Sequence, residues 1–341
     1  MYYFCLFIIR FMKIKKIALF VAVIIFLIAC NQEKKKNDFT LQGFVFGTSY
    51  KITYLNTNVN YQKSIDSLFL LVNKSTSTYI PTSDISKINN GDSTVIVDAI
   101  FSEVFKKSKR IYKETNGFFD PTVGNLVNAY GFGPKKEIKN LTQAEVKQEM
   151  LLVGLDKITL TDNKIVKENP AIYLDFNSIA KGFGIDVIAR FLNEKKVANY
   201  LIEIGGEIRA KGTKLNNEPW LIKLVNPVKS ENNDGFKMIN LSNKSMATSG
   251  NYRKFRVSKE GKKYVHTVNP KTGFAKESNL LSASVIANTD CADVDAYATA
   301  IMAMGLEKAK IFLKKNNQLK VILLFFDLEG NIKEYSTYTY N

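Results

Sequence analysis

LLSASVIANTDCADVDAYATAIMAMGLEKAKIFLKKNNQLKVILLFFDL, running from Leu280 to Leu328, decides the architecture. Leu280 to Ala287 is an apolar strand, Asp293 to Leu313 has helical spacing, and Leu319 to Leu328 is a second strand that Asn331 to Tyr338 answers as a hairpin. Upstream the same strand-rich texture recurs at Leu41 to Leu55, Tyr200 to Ile204, Trp220 to Val225, Gly235 to Leu241, Tyr252 to Val257 and Lys263 to His266. Long helices are few: Gln62 to Asn73, Asp98 to Thr115, a capping box at Thr142 and Glu145 with its helix to Leu152, and a helix from Asn177 to Leu192. This order predicts an α+β fold, antiparallel sheets flanked by helices. Ala171 to Phe176 reads as a further buried strand, feeding directly into the helix that opens at Asn177.

The 341 residues, 45% of them hydrophobic, can bury a large core, as one domain or as two intimate lobes. The net charge of +16 is spread over many segments, which argues against nucleic-acid binding and fits an anionic small ligand. Three cysteines, Cys5, Cys30 and Cys291, are too few for a disulfide framework.

From Met12 the chain reads MKIKKIALFVAVIIFLIAC, a basic start, an apolar core and a lipobox-like Leu27-Ile28-Ala29-Cys30. The expectation is a lipoprotein signal peptide over 1–29, lipidation of Cys30, a polar tether over 30–40 and a folded region over 41–341. An uncleaved membrane anchor is the competing reading. Both place the folded part on a membrane outside the cytoplasm. Without Arg10, Lys13, Lys15 and Lys16, the mature chain carries 44 basic and 32 acidic residues, or +12.

His266 is the sole histidine, at a strand end beside the turn Asn269 to Gly273, so a role in proton transfer and a structural hydrogen bond are both open readings. Asp120, in Phe118-Phe119-Asp120-Pro121-Thr122, reads as a marked site signal or as an N-cap. Lys181 in the first turn of a helix opposes the helix dipole and makes sense beside an anion. Gly205 and Gly206 fit either close approach of a ligand or an ordinary turn. Asp295 and Thr299, four apart on one helix face, offer hard oxygens suited to Mg²⁺ or Ca²⁺, although an N-terminal acid satisfying the dipole also explains Asp295.

Together these pieces resemble the ApbE-type FAD:protein FMN transferases, bacterial lipoproteins. The resemblance rests on motifs in order over residues 41–313: Phe46-Gly47-Thr48, Ser77-Thr78-Tyr79, Gly117 to Thr122, Asp175 to Gly182, Gly205 to Arg209, Thr248-Ser249-Gly250, His266 to Gly273 and Asp295 to Thr299. It implies a T-fold-like architecture with a ligand pocket between two lobes. It implies that Phe46, Tyr79, Phe118, Phe119, Asp120, Asp175, Lys181, Thr248 and His266 contact FAD, that Asp295, Thr299 and Ser178 hold Mg²⁺, and that His266 and Asp295 are catalytic. The implied reaction moves FMN from FAD to a Thr or Ser hydroxyl of an acceptor protein, such as a membrane redox subunit, and releases AMP. A Mg²⁺-dependent FAD pyrophosphatase and a non-catalytic flavin-binding lipoprotein are the alternatives. Three positions depart from the family pattern: Phe46 replaces a methionine, Asn269 an aspartate and Glu207 an aspartate.

Overall fold

The computed structural model describes residues 37–134, 141–224, 237–251, 255–257, 263–275 and 278–340. The predicted signal peptide, Cys30 and most of the tether lie outside them. The first strand starts at Asn37, four residues before the expected Leu41, so the end of the predicted tether belongs to the sheet.

The strands in chain order are β1 (Asn37–Val45), β2 (Thr48–Thr57), β3 (Ile158–Thr161), β4 (Lys164–Lys167), β5 (Tyr200–Ile204), β6 (Glu207–Lys211), β7 (Leu221–Leu224), β8 (Lys237–Asn240), β9 (Ser245–Gly250), β10 (Phe255–Val257), β11 (Lys263–Val265), β12 (Leu280–Ala287), β13 (Lys320–Phe326) and β14 (Ile332–Ser336). The helices are α1 (Gln62–Thr76), α2 (Asp84–Asn89), α3 (Ala99–Glu114), α4 (Gly124–Ala129), α5 (Gln143–Met150), α6 (Ala180–Glu194), α7 (Cys291–Met304) and α8 (Leu306–Lys315).

An eight-stranded antiparallel sheet, ordered β1-β2-β5-β6-β9-β12-β13-β14, organises the molecule. Every residue of β12 is buried, because both faces of the sheet are covered. Ala283, Val285 and Ala287 join Val321 and Leu323 in the main core with α3, α6 and α7. Ile286 and Ile322 point the other way, into a second cluster with Trp220, Ile239 and Tyr338. The period-2 alternation of strand side chains thus serves two hydrophobic layers. A third cluster, Leu126, Tyr130, Val153, Tyr264, Val268 and Ala275, joins α4 to the segment carrying His266.

Local chemistry sets the element ends. Asp98 caps α3 by accepting from Phe101 N–H at 2.9 Å, and Thr142 with Glu145 forms the predicted capping box of α5. Asp120 caps a 3-10 turn, Pro121–Val123, that runs into α4, as its N-cap reading has it. Gly205 (φ 65°) and Gly206 (φ 103°) are the two-residue turn between β5 and β6, the ordinary reading, with backbone angles that other residues adopt at a cost.

Two expectations are corrected. Ile172, Leu174 and Phe176 are buried as predicted, but the segment joins no sheet. Leu174 instead exchanges bonds with the Asn89 side chain, and Asp175 N–H donates to the Pro121 carbonyl at 2.8 Å. Apolar alternation reported burial here rather than a ladder. The helix expected over 293–313 is two helices, because Gly305 stands at φ 71° between α7 and α8.

Candidate active site

The starts of α6 and α7 meet beneath the turn after β5. Asp295, buried on α7, accepts from the Gly182 N–H of α6 at 3.1 Å through Oδ2. Its Oδ1 lies 3.9 Å from the Lys181 Nζ, and Lys181 also pairs with Glu207 Oε1 at 3.1 Å. A Cβ on Gly182 would fall 2.4 Å from the Cys291 carbonyl oxygen, so only glycine lets the two helices approach this closely.

Burial alone would lower the Lys181 pKa, but Asp295 and Glu207 outweigh it and hold the amine above its ordinary range. Burial pushes Asp295 up, opposed by Lys181, and pushes Glu207 up to about 7, with Lys181 opposing and Asp295 adding to the rise. Glu207 Oε2 is buried without a hydrogen-bond partner. Lys181 is therefore a firmly charged cation between two carboxylates under strain from desolvation.

Hydroxyls border this cluster. Thr299, one turn beyond Asp295, has its Oγ1 3.3 Å from Ser249 Oγ on β9, and the neighbouring Thr248 Oγ1 is 2.8 Å from Ser284 Oγ. Ser178 is half-buried in the turn entering α6. Among the described residues no three His, Cys, Asp or Glu side chains gather as a metal cluster. The hard donors here are the carboxylates of Asp295 and Glu207 and the hydroxyls.

A second group forms around Asp175. Its Oδ1 accepts from Asn177 N–H at 2.8 Å, yet burial dominates and raises the carboxyl to about 6. Asn177 Nδ2 reaches Thr78 Oγ1 at 3.3 Å, bringing the Ser77-Thr78-Tyr79 loop alongside. Tyr79 is 58% exposed, donates weakly to the Phe132 carbonyl at 3.4 Å, and has its hydroxyl pKa raised by burial and then by the Asp175 charge. The half-buried His266 ring lies edge-on to Phe132, centroids 6.4 Å apart. The loop after His266 is held by Tyr130, which donates to the Gly273 carbonyl at 3.0 Å, and by Asn269, whose Nδ2 donates to the Ala303 carbonyl at the end of α7.

Three aromatic candidates separate. The Phe118 ring is half-buried, with Lys271 and Lys308 Nζ at 5.9 and 5.3 Å from its centroid. Phe119 is 1% exposed and its ring packs in the main core, whereas the resemblance implies a contact with FAD. Phe46 (φ 51°) stacks edge-on against Phe69 and closely over Gly184, filling the place of the expected methionine. Asp120 Oδ1 accepts from the Thr122 N–H and Oγ1–H at 2.9 and 2.6 Å; burial raises the carboxyl pKa while these bonds oppose the rise.

Sequence reasoning missed the Glu207 side chain as part of the lysine cluster, although an acid directly after a glycine turn was visible. Phe132 and Ser249 were also missed, as they gain their places only from tertiary contacts.

This α+β arrangement is the one found in solved flavin transferases. The flavin transferase ApbE from Vibrio cholerae superposes with a TM-score of 0.77 at 32% identity, over 88% of this chain and 97% of that one. The apo form of the Pseudomonas stutzeri flavinyl transferase ApbE gives 0.79 at 25% identity, over 90% and 96%. In sequence, the FAD:protein FMN transferase of Haemophilus influenzae is 35% identical over 331 residues, 93% of this chain and 94% of its own. The model of the ApbE family matches residues 46–323, and the chain belongs to that family.

Proposed function

We propose that this protein transfers FMN from FAD to a Thr or Ser hydroxyl of an acceptor protein. The observation that carries the reading is Lys181, a half-buried lysine paired with Glu207 and Asp295 at the meeting of two helix starts, within a chain whose relatives carry that activity by name. Such a place suits a pyrophosphate, the part of FAD at which the bond must break.

Asp295, Thr299 and Ser178 are the residues that would hold Mg²⁺; one carboxylate with hydroxyls is a hard-oxygen set of the kind that ion prefers. The ion would supply charge neutralisation on the bridging phosphates. Lys181 binds the same phosphates and stabilises charge that builds on the leaving oxygen. Tyr79 offers an exposed ring and Phe118 a half-buried one for the flavin and adenine, and Asp175 a polar anchor. The acceptor hydroxyl oxygen attacks the phosphorus of the FMN half, the phosphoanhydride bond to AMP breaks, and AMP leaves. The hydroxyl proton passes to His266, which stands on a loop tied to α7 through Asn269.

Cys30 lipidation belongs to the same reading, since it would keep the enzyme at a membrane beside an acceptor such as a membrane redox subunit. Among the described residues no helix is long and apolar enough to cross a membrane. Incubating residues 31–341 with FAD, Mg²⁺ and a purified acceptor, then weighing the acceptor by mass spectrometry, tests the proposal. One added FMN per acceptor supports it. Free FMN and AMP with unmodified acceptors would replace it with the pyrophosphatase, and intact FAD with a flavin carrier.

A further inference from the structure

Helix α7 begins in an unusual way. Its N-cap residue, Asp290, makes no capping bond with its side chain. That carboxylate is drawn away, one oxygen to Arg209 at 2.9 Å and the other to Lys107 at 2.6 Å. The first amides of α7 are served instead from another helix: Asp186, on α6, accepts from Cys291 N–H through Oδ1 and from Ala292 N–H through Oδ2, both at 2.8 Å. Asp186 is 1% exposed and is closed off by an ion pair with Arg209 from β6.

The two helices therefore hold each other by exchange. An acid of α6 caps α7, and an acid of α7, Asp295, accepts from the Gly182 amide of α6. The bonds sit about one helical turn apart along each helix, so together they fix both the separation of the helices and their axial register. Asp295 and Thr299 both ride on α7, whereas Lys181 and the Ser178 turn belong to α6. A slip of α7 would therefore move one half of the proposed cation and phosphate site against the other.

We propose that Asp186 is a positioning residue for this site: its bidentate cap sets the register of α7 on α6 and so keeps Asp295 and Thr299 in place for the cation. The inference rests on the reading of Asp295 as a cation ligand. Removing residues that orient metal ligands costs about 10–100-fold in metal affinity. The cap acts through α7 rather than on the ion, and the lower end, about 10-fold, is the expected effect.

Asp186→Asn keeps the side-chain shape and one acceptor oxygen, which protects folding where Asp186→Ala fails to fold. The experiment is a titration with Mn²⁺ alone, followed by electron paramagnetic resonance, on the wild type, Asp186→Asn, Asp295→Ala and Ile158→Val. The last is a core change on β3, outside both helices, that lowers melting temperature. The expected result is an approximately tenfold weaker Mn²⁺ affinity for Asp186→Asn, no detectable site in Asp295→Ala, and wild-type affinity in Ile158→Val. The Mg²⁺ concentration for half-maximal transfer should rise in parallel, with turnover largely regained at high Mg²⁺. Wild-type Mn²⁺ affinity in Asp186→Asn while Asp295→Ala loses it overturns the positioning role alone. Unchanged affinity in Asp295→Ala overturns the cation reading, and the inference with it. Equal weakening in Asp186→Asn and Ile158→Val reduces Asp186 to a general stabiliser and also overturns it.

Discussion

Lys181 stands 3.1 Å from Glu207 Oε1 and leaves the other oxygen, Oε2, buried without a hydrogen-bond partner. A buried acid bonded on one side only is costly, and the cost is borne by the lysine it shares with Asp295. Lys181→Met should therefore destabilise the protein by about 3 kcal/mol at pH 8, because two carboxylates lose their common counter-charge. Adding Glu207→Gln should return much of that stability and none of the transferase activity. Denaturant melts of the single and double variants check this, and additive losses would show that the two side chains do not act as a unit.

The Asp175 carboxyl titrates near 6 in the folded protein, against 3.8 ordinarily, with burial as the leading cause. The folded form binds its proton more tightly than the unfolded form, so stability is complete below about pH 4 and falls as pH rises to about 6, then stays level. The shift amounts to about 3 kcal/mol, an order of magnitude only. Asp175→Asn keeps the acceptor for Asn177 N–H and removes the charge. It should raise the melting temperature at pH 7–8, leave it unchanged at pH 4, and weaken FAD binding. Melts across that range and a flavin titration give both readings. Such a trade marks an acid kept for its ligand rather than for the fold.

What was legible beforehand was whatever chemistry settles within a few residues. Asp120 and Thr142 each act on an amide two or three positions away, and both caps stand as their spacing requires. The glycine turn at 205–206 was legible for the same reason. Ala171 to Phe176 misled because a buried extended segment and a strand share one apolar pattern; the difference lies with Asn89, some 85 residues earlier. Gly305 was visible, but a single glycine in a helical pattern is often tolerated, and only its φ of 71° shows the break. Asp186 gave no local signal at all, since the amides it caps lie more than a hundred residues along the chain. Phe119 was placed at the ligand by its motif and in the core by its burial.

His266 faces Phe132 on a loop whose far end is pinned to α7 by Asn269, an arrangement that orients the ring without burying it fully. His266→Ala should lower the transfer rate by about 10²–10⁴-fold, the usual worth of a positioned proton acceptor. Affinity for FAD, followed by quenching of flavin fluorescence, should change less than twofold. A variant that loses FAD binding in proportion to rate would make His266 a ligand contact instead.

Gly182 is where α6 touches α7, and a methyl group there would stand 2.4 Å from the Cys291 carbonyl oxygen and 2.7 Å from the Ala292 nitrogen. Both are backbone atoms of a segment whose Cys291 and Ala292 N–H groups are held by Asp186, so neither can swing aside as a flexible side chain would. Gly182→Ala must push the helices apart, which stretches the Asp295 bond to the Gly182 amide and the Asp186 cap together. The cost should exceed about 2 kcal/mol, in the upper part of the range for overpacking a core. Transfer should fall further than stability does, because Lys181 and Asp295 lie on opposite sides of the widened seam. Gly206→Ala is the comparison, since a Cβ there meets open space and only the φ of 103° is strained. It should lose stability with transfer per folded molecule retained. Melting temperature and rate measured side by side distinguish the two, and a Gly182→Ala enzyme with full activity would mean that the close approach of the helices does not set the site.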